Sequence, residues 1–238
     1  MMTITQEHTI AEVVNQNFKT ATLFQQYGLD FCCGGKKSIA KACGEKGVAL
    51  PELMQKLELL MQQPAPHELN FEQLSLSDLI DHIVKKHHQY LHANLQAVSA
   101  YTQKVARVHG ENHPDLIEVA YLFDLVKKDL EPHLIQEEQV LFPAIKALEQ
   151  GLNPQVDLKA IIGALEAEHQ FAGESFATIR RLTNQYQPPL AACNTWRVSF
   201  AELQEFEADL HEHVHLENNL LYPKAIKLIE AISLTASA

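Results

Sequence analysis

The sequence predicts an all-α protein, an antiparallel four-helix bundle preceded by a small helical N-terminal domain. Three observations predict it. Long stretches place apolar residues at alternating steps of three and four, the stripe of a bundle helix. Nine glycines and ten prolines are few, and they cluster between those stretches. One pattern, His-x3-Glu-x4-aromatic-Pro, occurs twice, as His133, Glu137, Phe142 and Pro143 and again as His213, Glu217, Tyr222 and Pro223. With 46 % hydrophobic residues the chain can bury a core, so it is not a disordered protein.

Residues 1–62 hold short helical patterns. Thr9 and Glu12 form a capping box that opens a helix through Val13 and Val14. A second pattern, Phe18, Ala21, Leu23, Phe24 and Tyr27, ends at Gly28 and leads into a loop carrying Cys32, Cys33, Gly34 and Gly35. Ser38 opens a short helix ending near Gly44, and Pro51 fits the first turn of another that runs to about Gln63. Residues 63–74, rich in proline and polar groups at their start, read as a linker. From 75 to 232 the texture changes to four long helices, the expected bundle, and 233–238 is a tail. Helix A starts at Ser75 or Ser77 and runs to about Val108; helix B follows the turn from Gly110 to Pro114 and ends near Gln150. Gly151, Asn153 and Pro154 precede helix C, which runs to about Tyr186, and Pro188 and Pro189 introduce helix D, ending near Ile232. Short connections make neighbours antiparallel.

The stripes carry the functional signal. Helix A offers Val84, His88, Leu91, Leu95 and Val98; helix B offers Val126, Leu130, His133, Glu137 and Val140. Helix C offers Ile162, Leu165, His169, Ala172, Phe176 and Ile179; helix D offers Leu203, Phe206, Leu210, His213, Glu217 and Leu220. Each is apolar except for His, or for His and Glu, which share one face four residues apart. His88 precedes His133 by 45 residues and His169 precedes His213 by 44, as in two related hairpins. On periodicity alone His87 competes with His88 for the helix A stripe. Buried carboxylates without partners are costly, and a metal pair resolves that cost. Four imidazoles and two carboxylates exceed a closed zinc site and suit two first-row ions such as iron, manganese or zinc rather than calcium. Open positions would then take water, oxygen or another small molecule. His82, His92, His109, His211 and His215 are expected to face solvent or to support ligands, and Glu138 and Glu168 to orient ligands or relay protons.

A net charge of −11 with no basic run longer than two residues argues against a nucleic-acid partner. No stretch approaches the roughly 20 apolar residues of a membrane span, and the N-terminal residues lack the pattern of a signal peptide. Four cysteines in a chain this long are no disulfide framework, so a cytoplasmic protein, monomer or homodimer, is expected. Cys43 and Cys193 are expected to be buried small residues. Adjacent side chains on extended backbone point apart, so Cys32 and Cys33 are expected to be poorly placed to chelate one ion. Two readings of their loop remain: a tight turn where glycines permit positive φ, or a reactive thiol pair on a tethered module.

Taken together, the motif around Tyr27, Asp30, Cys32, Cys33, Gly34 and Gly35, then Asp81, His82 and His88, His133, Glu137 and Glu138, Glu168 and His169, and His213, Glu217, Asn218 and Asn219 resembles the di-iron iron–sulfur cluster repair proteins, the RIC or YtfE/ScdA family, over nearly the whole chain. The resemblance implies a hemerythrin-like bundle and the ligand set His88, His133, Glu137, His169, His213 and Glu217, choosing His88 over His87. The fifth histidine of hemerythrins proper has no clear counterpart. It implies two iron ions bridged by Glu137 and Glu217, and damaged iron–sulfur proteins as clients, with repair after oxidative or nitrosative stress by iron donation. Reduction of nitric oxide at the di-iron site, or carriage of oxygen or nitric oxide without turnover, are the alternatives it leaves open. Cys32 and Cys33 become candidates for thiol-mediated iron transfer.

Overall fold

The computed structural model describes residues 4–62 and 71–236. The expected linker start, 63–70, and the last two residues of the tail lie outside them. Among the described residues all extended structure is one bridge pair, Thr9 with Ser38, and no helix is long and apolar enough to cross a membrane.

Four short helices come first: α1 (Ile10–Gln16), α2 (Lys19–Gln26), α3 (Ile39–Lys46) and α4 (Leu50–Met61). The Thr9–Glu12 capping box is formed in both directions. Ser38 caps α3, which continues through Gly44 and stops at Gly47, whose φ of 65° only glycine adopts freely. Gly44, the expected end, lies inside the helix with ordinary helical backbone.

Four rods follow. The first is α5 (Leu76–Ile83), a π-helical turn Val84–His88, and α6 (Gln89–His109). The second is α7 (Asp115–Gln136), a π-turn Glu137–Leu141, and α8 (Phe142–Glu149). The third is α9 (Leu158–Leu182); the fourth is α10 (Asn194–Leu216), a π-turn Glu217–Leu221, and α11 (Tyr222–Ala236). α9 ends four residues before the expected Tyr186, because Asn184, Gln185 and Tyr186 all take positive φ and reverse the chain.

Apolar burial forms two clusters with a polar layer between them. One packs Leu76, Ile83, Leu141, Phe142, Leu165, Leu216 and Tyr222 at one end of the bundle. The other joins the opposite half of the bundle, including Leu91, Leu134, Phe176 and Leu210, with Val13, Phe24, Phe31 and Leu57 of the N-terminal segment. That segment therefore shares a core with the bundle and is docked, where a tethered module was expected. The C-terminal part of the expected linker is held too, since Lys224 Nζ donates to the carbonyls of Phe71, Glu72 and Leu74.

Glu149, at the end of α8, accepts from Leu76 N (2.7 Å), Ser77 N (3.0 Å) and Ser77 Oγ (2.5 Å), satisfying the open N–H groups of α5. Burial disfavours its ionised form, but the Ser77 hydroxyl and the two N–H groups outweigh that and lower its pKa from 4.5. Glu149→Gln should cost about 1–3 kcal/mol at neutral pH, measured by urea denaturation. Because the folded pKa lies below the unfolded one, this difference should be complete above pH 4.5 and shrink as pH falls through the lowered folded value.

Candidate metal centre

The six histidines and glutamates predicted from the stripes all lie in the polar layer between the two apolar clusters, and all are buried. Two overlapping groups form: His88, Glu137, His213 and Glu217, and His133, Glu137, His169 and Glu217, with the ligand atoms of each group within 4.8 Å of one another. Both carboxylates belong to both groups. Glu217 Oε1 lies 2.9 Å from His213 Nε2 and 3.9 Å from His88 Nε2, while its Oε2 lies 3.3 Å from His169 Nε2. Glu137 Oε2 lies between the groups, 3.4 Å from His88 Nε2 and 3.3 Å from His133 Nε2. Its other oxygen accepts a 2.6 Å hydrogen bond from the buried Tyr222 hydroxyl.

The backbone explains how the side chains converge. Each His-x3-Glu pair ends where a π-turn begins, at Glu137 and at Glu217. Phe142 N–H bonds to Glu137 O, and Tyr222 N–H to Glu217 O, across the widened turn. Pro143 and Pro223 follow directly and have no N–H to return to the carbonyl four residues back, so the aromatic-Pro ending marks the place where an α-helical ladder cannot continue unbroken. The extra residue shifts the helix phase. Val140, expected in the stripe, is 38 % exposed, and Leu141 is buried in its place.

Outer partners fix three of the four imidazoles. His88 Nδ1 donates to Glu138 Oε1 (2.8 Å), His133 Nδ1 to Glu168 Oε2 (2.7 Å) and His169 Nδ1 to Asn218 Oδ1 (2.9 Å). A carboxylate or amide oxygen can only accept, so each Nδ1 carries a proton and each Nε2 faces inward, where a bound cation would take its lone pair. His88 and His213 Nε2 then lie 3.2 Å apart, and His133 and His169 Nε2 3.1 Å apart. Both Glu217 oxygens and Glu137 Oε2 have no hydrogen-bond donor. A buried cluster in which three of the four carboxylate oxygens find no donor suits cations, and imidazole with carboxylate is the donor set of first-row metals.

Electrostatics divide the metal-free imidazoles: burial opposes a charge on His133, but the Glu137 carboxylate outweighs it and raises that pKa to about 10, so a cation entering there displaces a proton. Burial lowers the His169 pKa to about 3 and the His213 pKa to about 4, which keeps both neutral for ligation. Burial and the nearby charge of Glu137 raise the Glu217 pKa above the carboxylate range. Burial works against ionised Glu137 as well, but the His133 charge overcomes it and holds that carboxyl below its ordinary value.

Several supports were not foreseen. Tyr222 and Asn218 stand out only as asymmetries between the two copies, Phe142 against Tyr222 and Glu138 against Asn218. His215, expected at the surface or beside a ligand, is buried against the N-terminal segment: Nε2 donates to Asn15 Oδ1 (2.7 Å) and Nδ1 accepts from Asn219 Nδ2 (3.2 Å). His87 is buried as well, bonded through Nδ1 to Asp209 (2.9 Å) and stacked on His213 at 5.7 Å, outside both groups. His92 is exposed and reaches Glu138 at 3.1 Å. Cys43 is buried as expected, but Cys193 is exposed at the start of α10, its Sγ 3.3 Å from His109 Nε2.

The thiol loop is docked on the centre. Asn219 Nδ2 donates to Cys32 O (2.9 Å), and Cys33 Sγ lies 3.6 Å from His169 O. Contrary to the extended backbone expected, the two sulfurs are only 3.7 Å apart. Asp30 bends the loop: its Oδ1 accepts from Cys32 N (2.9 Å) and Cys33 N (3.0 Å), and its Oδ2 from Gly34 N (2.9 Å). Neither Gly34 nor Gly35 takes positive φ. A Cβ on Gly35 would meet Phe31 O at 2.5 Å and Asn219 Oδ1 at 2.9 Å, so this glycine serves close approach of the loop to the bundle.

Residues 79–225 match the family described as the hemerythrin HHE cation binding domain, and residues 6–61 match ScdA_N, a domain of unknown function. The chain is 38 % identical over 222 residues to the iron-sulfur cluster repair protein ScdA of Staphylococcus haemolyticus, spanning 93 % of this chain and 99 % of that one. It is 36 % identical over 221 residues to the iron-sulfur cluster repair protein YtfE of Musicola paradisiaca, spanning 93 % and 97 %.

Two outcomes are expected. Asn218→Ala frees His169 Nδ1 and should weaken metal binding about 10–100-fold in chelator competition. Because the folded Glu217 pKa is raised, stability of the metal-free protein should fall as pH rises above 4.5 and Glu217 ionises more readily unfolded than folded. Metal-free Glu217→Gln should therefore melt above metal-free wild type at pH 8, by roughly 1–4 kcal/mol, with the gap closing toward pH 4 and the order reversing once metal is added.

Proposed function

This chain belongs to the iron–sulfur cluster repair proteins of the ScdA and YtfE kind, and from that premise we propose that it is a di-iron protein that supplies iron to clusters damaged by oxidative or nitrosative stress. The observation that carries the reading is the pair of four-residue groups sharing both carboxylates. His88 and His213 would hold one iron, His133 and His169 the other, with Glu137 and Glu217 between them. Bound there, the irons supply redox chemistry and a reserve of ferrous ion. Everything else falls to the chain. The two apolar clusters exclude water on either side of the polar layer. Tyr222 holds one oxygen of Glu137, and Glu138, Glu168 and Asn218 hold the imidazoles with their Nε2 lone pairs inward. Six protein ligands shared by two ions leave coordination positions open, which suits release of a metal better than a closed structural site.

The docked loop supports the direction of transfer. Cys33 Sγ packs on the turn of α9 that carries His169, so the thiols stand between the centre and a surface cleft that Cys32 and Cys33 both line. We take residues 1–62 as the delivering unit, 75–232 as the holding unit, 63–74 as the linker between them and 233–238 as a tail. Damaged iron–sulfur proteins are the clients.

Anaerobically purified protein should contain two irons per chain by metal analysis and Mössbauer spectroscopy. The iron-loaded protein should restore a damaged cluster enzyme faster than the same amount of ferrous salt. Cys32→Ser with Cys33→Ser should slow restoration several-fold while the bundle keeps its iron. Restoration no faster than with free ferrous iron, or catalytic release of nitrous oxide from nitric oxide in place of restoration, would overturn the donor role.

A further inference from the structure

The carboxylate of Asp30 and the thiols of Cys32 and Cys33 form a cluster of their own, separate from the six buried histidines and glutamates. One ligand atom of each lies within 4.8 Å of the others. Asp30 Oδ1 is 3.2 Å from Cys32 Sγ, and the two sulfurs are 3.7 Å apart. A tetrahedral ion bound to two thiolates at about 2.3 Å holds its sulfurs about 3.8 Å from each other. The 3.7 Å contact between the two thiols therefore already has the spacing that a metal dithiolate needs. A disulfide would need the sulfurs to close to about 2.05 Å, while an ion enters with the loop nearly as it stands.

The loop is built rather than incidental. Three backbone N–H groups aim the Asp30 carboxylate. Asn219 fixes the Cys32 carbonyl, and Gly35 admits the chain against that side chain. Asp30, Cys32 and Cys33 line one wall of a cleft of about 500 Å³, whose opposite wall comes from α9 through Gly173, Glu174 and Arg180. Three protein ligands with a cleft beside them leave a fourth position reachable from outside.

We propose that Asp30, Cys32 and Cys33 make a third metal position, a three-ligand site for a thiophilic divalent first-row ion, placed between the centre and the cleft. Binding takes a divalent cation, one carboxylate and two thiols; both thiols lose their protons to solvent, and the complex carries one net negative charge with no change of oxidation state. The identification of the ion as ferrous iron in transit rests on the repair reading, whereas the site itself does not.

Cobalt(II) is the probe. Full-length protein with its bundle already loaded with iron is titrated anaerobically with cobalt(II) and followed by absorption and proton release. One further equivalent should bind, with a thiolate-to-cobalt charge-transfer band and release of two protons. Cys32→Ser and Cys33→Ser should each lose the band while retaining the bundle iron, which reports that the fold is intact, and Asp30→Asn should weaken the binding. Wild type with free thiols and no thiolate band overturns the site, as does a Cys32–Cys33 disulfide in the anaerobic protein. Cluster restoration without the band removes this site and leaves the repair reading standing; the band without restoration does the reverse.

Discussion

The structure depends on one constraint: four imidazoles and two carboxylates converge in a buried layer where three of the four carboxylate oxygens find no hydrogen-bond donor. Left alone, such a layer repels itself. Three Nδ1 protons are committed outward, and both Glu217 oxygens and Glu137 Oε2 have no donor. The protein retains this arrangement by spreading its cost across the molecule. Two apolar clusters clamp the layer from both sides, and the side chains are held from behind by the half-buried Glu138 and Glu168 and the buried Asn218 and Tyr222. Cations bound there would relieve the conflict directly and so couple metal binding to folding stability.

The two hairpins solve the same geometric problem with unequal parts. The residue after each shared carboxylate reaches the imidazole on the other helix of its own hairpin: Glu138 to His88, Asn218 to His169. The residue before each single histidine does not correspond. Glu168 holds His133, but His87 stacks on His213 and bonds to Asp209, leaving His213 Nδ1 without a partner. A charged acceptor strengthens an imidazole as a donor to metal and a neutral one does so less. The His133 side is therefore more strongly basic than the His213 side, and the two metal positions are chemically distinct within a nearly symmetric frame.

Periodicity made the bundle and its six polar stripe residues legible, because a 3–4 pattern interrupted by His and Glu in register has few other physical meanings. What it could not carry was the local break in that period. The phase shift at Glu137 exposes Val140 and buries Leu141, and only the following Pro143 hints at it in the sequence. His87 and His88 were also inseparable by stripe alone, since one π-turn buries both. The thiol loop was misread for a different reason. Neighbouring side chains diverge on extended backbone, but the Asp30 carboxylate replaces that backbone with a turn through three hydrogen bonds, an effect of tertiary detail that spacing does not encode.

Docking of the N-terminal segment changes what the loop is for. A tethered thiol pair would meet the centre only by chance encounter, at a concentration set by the linker. Here Phe31 packs edge-on to His211, His215 bridges Asn15 and Asn219, and Asn218 binds both His169 and the Cys32 carbonyl. The same amide that orients a metal-facing imidazole thus touches the thiol loop. The loop and the centre are therefore joined through side chains of the fourth rod, with no flexible linker between them.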